Sequence, residues 1–174
     1  FDIRKDTLYC DPKNSKKRKN CIIVLNIILE SLLKWFAPIM SFTTEEIFKL
    51  INKDKKSIHL ENFIEIPNNF LNNTLNEKWI ELKKIRDVCN ISIEAKRASK
   101  EIGSSLEASL IIGLNEKLFN ITKNVNFSEL CITSSTKIEK IKSEEVKVKT
   151  EKAEGNKCPV CWKINKGKCE RHSA

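Results

Sequence analysis

Three cysteines and one histidine crowd into the last seventeen residues: Cys158, Cys161, Cys169 and His172. They stand as two pairs, Cys158-Pro159-Val160-Cys161 and Cys169-Glu170-Arg171-His172, each with two residues between its members. Paired spacings of this kind can place four soft donors around one ion. A closed shell of Cys and His ligands is a structural zinc site, without the open position that a catalytic zinc keeps. Trp162 to Lys168 link the pairs, and Gly167 permits a tight return. Loose thiols on a frayed terminus would not explain why three of the seven cysteines gather here. The expectation is one structural Zn2+ on Cys158, Cys161, Cys169 and His172.

No second constellation of reactive residues accompanies this one. His59 stands alone in a loop region, and the chain holds only four glycines, none arranged as a phosphate loop requires. Neither G-x-S-x-G nor H-E-x-x-H is present. Cys10 and Cys89 are isolated thiols without a base suggested by the sequence. The catalytic assignment is therefore none, and the chain reads as a binding module.

Charge narrows the partner. The net charge is +9, which favours a polyanion. Of the 32 basic residues, however, only five are Arg, and Ile and Asn are also abundant. Such a composition follows from AT-rich coding, which adds lysines without a binding motive. Lys supplies point charge for phosphates, whereas the planar fork of Arg reads bases. An odd cysteine count without a secretory signal points to thiols and a metal in a reducing compartment, the cytoplasm. The longest apolar run, Ile22 to Leu25, is far too short to span a bilayer. The start at Phe1 instead of Met reads as a fragment or a processed piece.

The elements that must position the cluster follow in chain order. Phe1 to Pro12 reads as the end of a helix running into a Pro-terminated turn. Lys13 to Asn20 carries five positive charges and no negative one. It reads as a solvated helix start, or as a phosphate-facing one, because a cationic first turn opposes the helix dipole. From Cys21 to Phe36 the spacing of Leu25, Leu29, Leu32, Leu33 and Phe36 predicts a helix buried on most of its surface, ended by Pro38. Thr43 and Glu46 predict a capping box for the next helix, to about Asn52, with Phe42 and Ile47 as a hydrophobic staple. Lys53 to Ser57 is a polar loop, and Ile58 to Phe70 an irregular connection.

A third long helix is predicted behind a second capping box, Thr74 and Glu77. Its stripe is Leu75, Trp79, Leu82, Ile85, Val88, Cys89 and Ile93, and Gly103 is its expected C-cap. Beyond it the period changes. Ala108 to Leu114, Leu130 to Thr133 and Val146 to Thr150 predict short strands, with a helix over Glu116 to Asn124. Ser134 to Glu145 reads as a charged connection. The fold class is mainly α: a helical bundle over residues 1–104, a small α+β appendage over 105–155 and a zinc knuckle over 156–174.

Four stretches carry a family resemblance. Phe1-Asp2-Ile3-Arg4-Lys5-Asp6-Thr7-Leu8-Tyr9-Cys10-Asp11 resembles the anticodon-domain signature of bacterial isoleucyl-tRNA synthetases. Trp35-Phe36-Ala37-Pro38-Ile39-Met40-Ser41-Phe42-Thr43-Thr44-Glu45-Glu46-Ile47 resembles the helix–Pro–helix joint that they share with their valyl, leucyl and methionyl relatives. Ile102 to Ala108 is similar to the end of their long helix, and Ala153 to Trp162 to their C-terminal zinc knuckle. Two departures stand out: His172 occupies a slot usually filled by cysteine, and the loop between the ligand pairs is shorter than usual.

The resemblance implies the C-terminal part of a class I synthetase, a monomer binding the anticodon arm of tRNA-Ile. The ATP-dependent aminoacylation, with its HIGH and KMSKS motifs, and the editing domain would lie upstream of Phe1. Unpaired anticodon bases are read by stacking and by hydrogen bonds to their edges. Trp162, beside Cys161, is the candidate stacking platform, or else the cover of a small knuckle interior. Arg4, Lys5, Lys163 and Arg171 are candidate RNA contacts. Two other readings compete with this one: a nucleic-acid-binding zinc tail of the DNA glycosylase type, and a zinc staple with a structural role alone.

Overall fold

The computed structural model describes residues 1–54 and 56–172. Lys55 of the expected polar loop, and Ser173 and Ala174 of the expected knuckle, lie outside the described residues. The chain divides into two units: Thr7–Leu71, and residues 1–6 together with those from Asn72 onward. The second of these is discontinuous in sequence.

The helix α1 (Lys5–Cys10) starts just before Thr7 and leads through Pro12 into α2 (Lys16–Phe36) and α3 (Ser41–Ile51) of the Thr7–Leu71 unit. Ser15 caps α2, its hydroxyl accepting from the Arg18 N–H. The basic run therefore does form a cationic first turn, held in place where the Arg18 guanidinium donates to the Asp11 carbonyl. Pro38 follows the end of α2 by two residues, as expected. The core of this unit is small, with Leu33, Ala37, Phe48 and Ile58 at its centre. Glu45 on α3 pins the turn at Ile58–Leu60, accepting from Ser57 Oγ and from the Ile58 N–H at 2.9 Å each. Those donors, the Ile58 N–H first, hold its carboxyl below the usual range.

Two expectations fail in this unit. The α2 helix is not buried on most of its surface: only Ser31 and Leu33 are buried, while Ile23, Val24, Leu29, Leu32 and Phe36 are exposed. Its 3.6-residue period is real, but α3 and the 58–60 turn cover one strip only. The Thr43–Glu46 capping box is also wrong. The α3 helix starts at Ser41, Thr43 lies inside it, and Phe42 of the supposed staple is 92% exposed. Thr44 instead bonds back to the Met40 and Ser41 carbonyls, as helix-interior threonines do.

In the discontinuous unit, α4 (Asn73–Ala98) lies on a mixed sheet of three strands, β1 (Ala108–Leu114), β2 (Ser135–Lys140) and β3 (Lys147–Lys152). The order is β2-β1-β3, with β2 parallel and β3 antiparallel to the central β1. The crossover from β1 to β2 carries α5 (Glu116–Thr122) and the short α6 (Phe127–Leu130), since parallel neighbours cannot be joined by a hairpin. Leu82, Ile85, Cys89 and Ile93 of α4 share one core with Ala108, Leu110, Ile112, Leu114 and Phe127. Alternation along β1 sends Leu110 and Ile112 to the helix side. Ser92 of α4 also bonds Thr150 of β3 at 2.7 Å.

The start and stop of α4 differ from expectation. Its N-cap is Asn72, whose Oδ1 accepts from the Leu75 N–H at 2.9 Å, while Thr74 sits inside the first turn. Replacing Asn72 by Ala should cost about 1 kcal/mol of stability, and Thr74→Ala much less. Urea midpoints of the two variants compare them directly. At the other end Gly103 is not the C-cap. Lys100 takes the left-handed position (φ 59°), with Glu101 N donating to Lys96 O and Lys100 N to Arg97 O. This is a Schellman motif closed without glycine.

The same motif explains the misplaced strand. Leu130 to Thr133 is not extended: Ile132 is left-handed (φ 56°), Thr133 N donates to Ser128 O, and Ile132 N to Glu129 O. The strand comes afterwards, in Ser135–Lys140, inside the stretch Ser134 to Glu145 expected to be a charged connection.

Candidate metal centre and nucleic-acid interface

Two short strands, β4 (Asn156–Lys157) and β5 (Ile164–Asn165), pair antiparallel and carry the first cysteine pair in the turn between them. Gly155 enters β4 at φ 129°, where a Cβ would lie 2.2 Å from the Asn165 carbonyl oxygen. Only glycine fits there. The turn closes where Cys158 N donates to Lys163 O and Trp162 N to Cys158 O, both at 2.9 Å. Ser134 fastens this hairpin to the sheet unit, since its Oγ accepts from the Ile164 N–H at 2.6 Å and donates to the Leu106 carbonyl. His172 N donates to Cys169 O, which folds the second pair into its own turn.

These turns bring the four side chains together. The Sγ atoms of Cys158, Cys161 and Cys169 and a ring nitrogen of His172 all lie within 4.8 Å of one another. Cys161 Sγ and Cys169 Sγ are 3.8 Å apart. His172 Nδ1 stands 3.5 Å from the sulfurs of both Cys158 and Cys169. Cys158 and Cys161 are buried. Backbone N–H groups of Cys161 and Val160 push the Cys158 thiol down to about 6, so a thiolate is available at neutral pH. Burial pushes Cys161 up to about 11, so this ligand must lose a proton when a cation arrives. The Cys3His cluster could hold a metal ion.

Trp162 follows directly on Cys161, and its side chain is 59% exposed. It does not cover an interior. Its backbone is left-handed (φ 62°), a costly conformation for an aromatic residue and one imposed by the turn around Cys158 and Cys161. Lys157 Nζ lies 5.6 Å from the centroid of the indole. An exposed aromatic ring with a cation beside it offers a surface on which a planar π system can stack.

The other four RNA candidates separate by their partners. Lys163 is half-buried next to Trp162, and Lys5 is exposed, 3.5 Å from Asp2. Arg4 pairs with Glu129 at 2.5 Å. Arg171, between ligands Cys169 and His172, donates from Nη1 to Asp6 Oδ2 at 2.5 Å and from Nη2 to the Asp6 carbonyl at 3.3 Å. Both arginines thus have intramolecular acids as partners. The sequence could not reveal this, because those partners lie 125 and 165 residues away. Sequence reading also missed Lys157, whose contact with Trp162 depends on the left-handed turn. Other lysines are internally balanced: Lys137 pairs with Glu139 and Lys149 with Glu151 on the outer strands.

Residues 1–112 match the family model described as the anticodon-binding domain of tRNA ligase. An isoleucine–tRNA ligase of Pelagibacter ubique is 73% identical over 173 residues, which is 99% of this chain and 19% of that protein. Isoleucine–tRNA ligases of Rhodopseudomonas palustris and Bartonella henselae are 38% and 40% identical, over 94% of this chain and 18% of each relative. The chain thus spans about a fifth of the length of these relatives, and no described helix is long and apolar enough to cross a membrane. A domain match covering well over half of its residues settles the family: the chain belongs to the anticodon-binding domains of tRNA ligases.

Proposed function

We propose that this chain is the tRNA-binding C-terminal part of an isoleucine–tRNA ligase, and that its end is a zinc knuckle presenting Trp162 to the anticodon arm of tRNA-Ile. One observation carries the reading: in a chain of the anticodon-binding family, a Cys3His cluster holds an exposed, left-handed tryptophan beside a lysine. Aminoacylation, with its ATP, belongs to another part of the protein, which acts as a cytoplasmic monomer.

The donor set of three thiols and an imidazole favours zinc, and part of its spacing suits that ion. A tetrahedron with zinc–sulfur bonds of about 2.3 Å has sulfur–sulfur edges of about 3.8 Å; with a zinc–nitrogen bond of about 2.0 Å its mixed edges are about 3.5 Å. Three of the separations here have these lengths: 3.8, 3.5 and 3.5 Å. His172 would bind through Nδ1 and the three cysteines as thiolates. A closed shell of this kind supplies shape and no reaction. In this reading Trp162 stacks, Lys157 and Lys163 of the knuckle and Lys5 of the opening segment meet phosphate, and Arg4 and Arg171 are engaged by Glu129 and Asp6.

The test is binding of tRNA-Ile against other tRNAs at moderate salt, where phosphate contacts alone discriminate little. Wild-type chain should prefer tRNA-Ile, and Trp162→Ala should lose about 1–3 kcal/mol of that binding with the fold intact. Equal affinity for all tRNAs would remove the specificity. A Trp162→Ala variant that binds like wild type would leave the knuckle as a staple alone.

A further inference from the structure

The contact between Arg171 and Asp6 has no place in RNA recognition as described so far. Arg171 lies between two residues of the cluster, in the turn that the His172 N–H closes on the Cys169 carbonyl. Its guanidinium grips Asp6 twice, at the carboxylate and at the main-chain oxygen, and both side chains are mostly buried, at 25% and 21% exposure. A two-point hold on one residue fixes direction as well as distance. Asp6 in turn belongs to a segment anchored elsewhere in the same unit. Arg4 pairs with Glu129, and Asp2 lies 3.9 Å from Arg86, which also donates to the Leu130 carbonyl. Residues 2–6 are thus an anchored brace, and the knuckle's second ligand turn leans on it through one arginine.

We infer that Asp6 and Arg171 are positioning residues for the metal centre: the brace holds the Cys169–His172 turn in ligating geometry, and metal binding in turn orders the brace. The inference rests on the reading of the cluster as a metal site. Coupling of this kind is reciprocal, so a change at Asp6 must appear in metal affinity although Asp6 touches no ligand atom. Loss of a residue that orients ligands typically weakens metal binding by about 10- to 100-fold. The lower end applies here, because the main-chain half of the grip survives at position 6.

The experiment measures zinc affinity of the full 174-residue chain by competition with a chromogenic chelator. Asp6→Asn should weaken zinc binding by about tenfold and Arg171→Ala, which removes both contacts, by more, while the double variant should lose no more than Arg171→Ala alone. Arg171→Lys should recover only part of the loss, since one ammonium cannot reach both oxygens. Lys137→Ala, which breaks an ion pair of the same unit away from the knuckle, should leave the affinity unchanged. Wild-type affinity in Asp6→Asn, or losses that simply add in the double variant, would overturn the inference. Cys158→Ser separates the two levels of the argument. If it keeps wild-type zinc affinity, the metal reading falls and the inference with it; if it loses zinc while Asp6→Asn does not, the brace alone is refuted.

Discussion

Replacing Cys158 by Ser should abolish metal binding and unfold the segment from Asn156 to His172, with a tRNA affinity loss of about 5- to 150-fold. The first part follows from how little else holds this segment. Its strands are two residues each, and Val160 and Trp162 are exposed, so apolar burial contributes little. Structural zinc sites supply apparent free energies of about 10–16 kcal/mol at neutral pH, far more than any contact the segment makes for itself. The second part converts the stacking of one base on Trp162, about 1–3 kcal/mol, into affinity. Without ligand Cys158, only the backbone hydrogen bonds of the turn and the Ser134 contact are left to keep Trp162 in its left-handed position.

Acidification should reproduce the effect in the wild-type chain, and its sign follows from Cys158. The thiol is lowered from its ordinary 9.0 to about 6 in the folded chain. Its thiolate therefore contributes fully above pH 9, and the contribution is lost as pH falls through about 6. Protons then compete with the metal for the same sulfur. Zinc release followed by a chelating dye, with tRNA binding measured alongside, should show both falling together below about pH 6. Retention of tRNA affinity after verified zinc loss would contradict the scaffold role.

Phe127→Ala should be the most destabilising single change in the sheet unit, at about 3–5 kcal/mol. Phe127 is 1% exposed and sits in the core formed by α4 and the inner face of β1. Truncation leaves a cavity that Ile112, Leu114 and the α4 residues cannot fill, because they are held on regular elements. Phe42→Ala, at a ring that is almost fully exposed in this chain, serves as the contrast and should shift stability by less than about 0.5 kcal/mol. Urea denaturation compares the two: a lowered midpoint at unchanged slope for Phe127→Ala and no shift for Phe42→Ala. Equal midpoints would show that the core is not where the buried residues place it.

How much of this was legible in the sequence depends on the range of the cause. The ligand cluster was legible because its spacing is local, and a two-residue gap brings two donors to one side of a turn whatever surrounds it. Helices α2, α3 and α4 were legible from their period. Their caps were not: Thr43 and Thr74 each stand three residues before a Glu, yet both lie inside helices that begin earlier. A capping pattern is also an ordinary pattern of a helix interior, and for α4 Asn72 supplied a better cap. The strand at Ser135–Lys140 escaped because the more β-branched stretch before it closes a Schellman turn, with Ile132 left-handed. The burial of α2 was overread, since a period shows where apolar residues lie and not what covers them. The partners of Arg4 and Arg171 could not be read at all, because an ion pair across the fold leaves no trace in spacing.

The discontinuity of the sheet unit has a consequence for the order in which this chain can be completed. Residues 1–6 must meet partners that begin at Asn72, and the last of those is Arg171. Holding the ends of the intervening excursion together costs about 4 kcal/mol of loop entropy before any of those contacts repays it. During synthesis Thr7–Leu71 is complete before Asn72 is added, whereas Asp6 waits for the 165 residues that separate it from Arg171. Cys169 and His172 of the cluster are made at that same point. Completion of the unit thus waits on Cys169 to His172, and truncation just before Cys169 would remove both the second pair of the Cys3His cluster and the hold of Arg171 on Asp6.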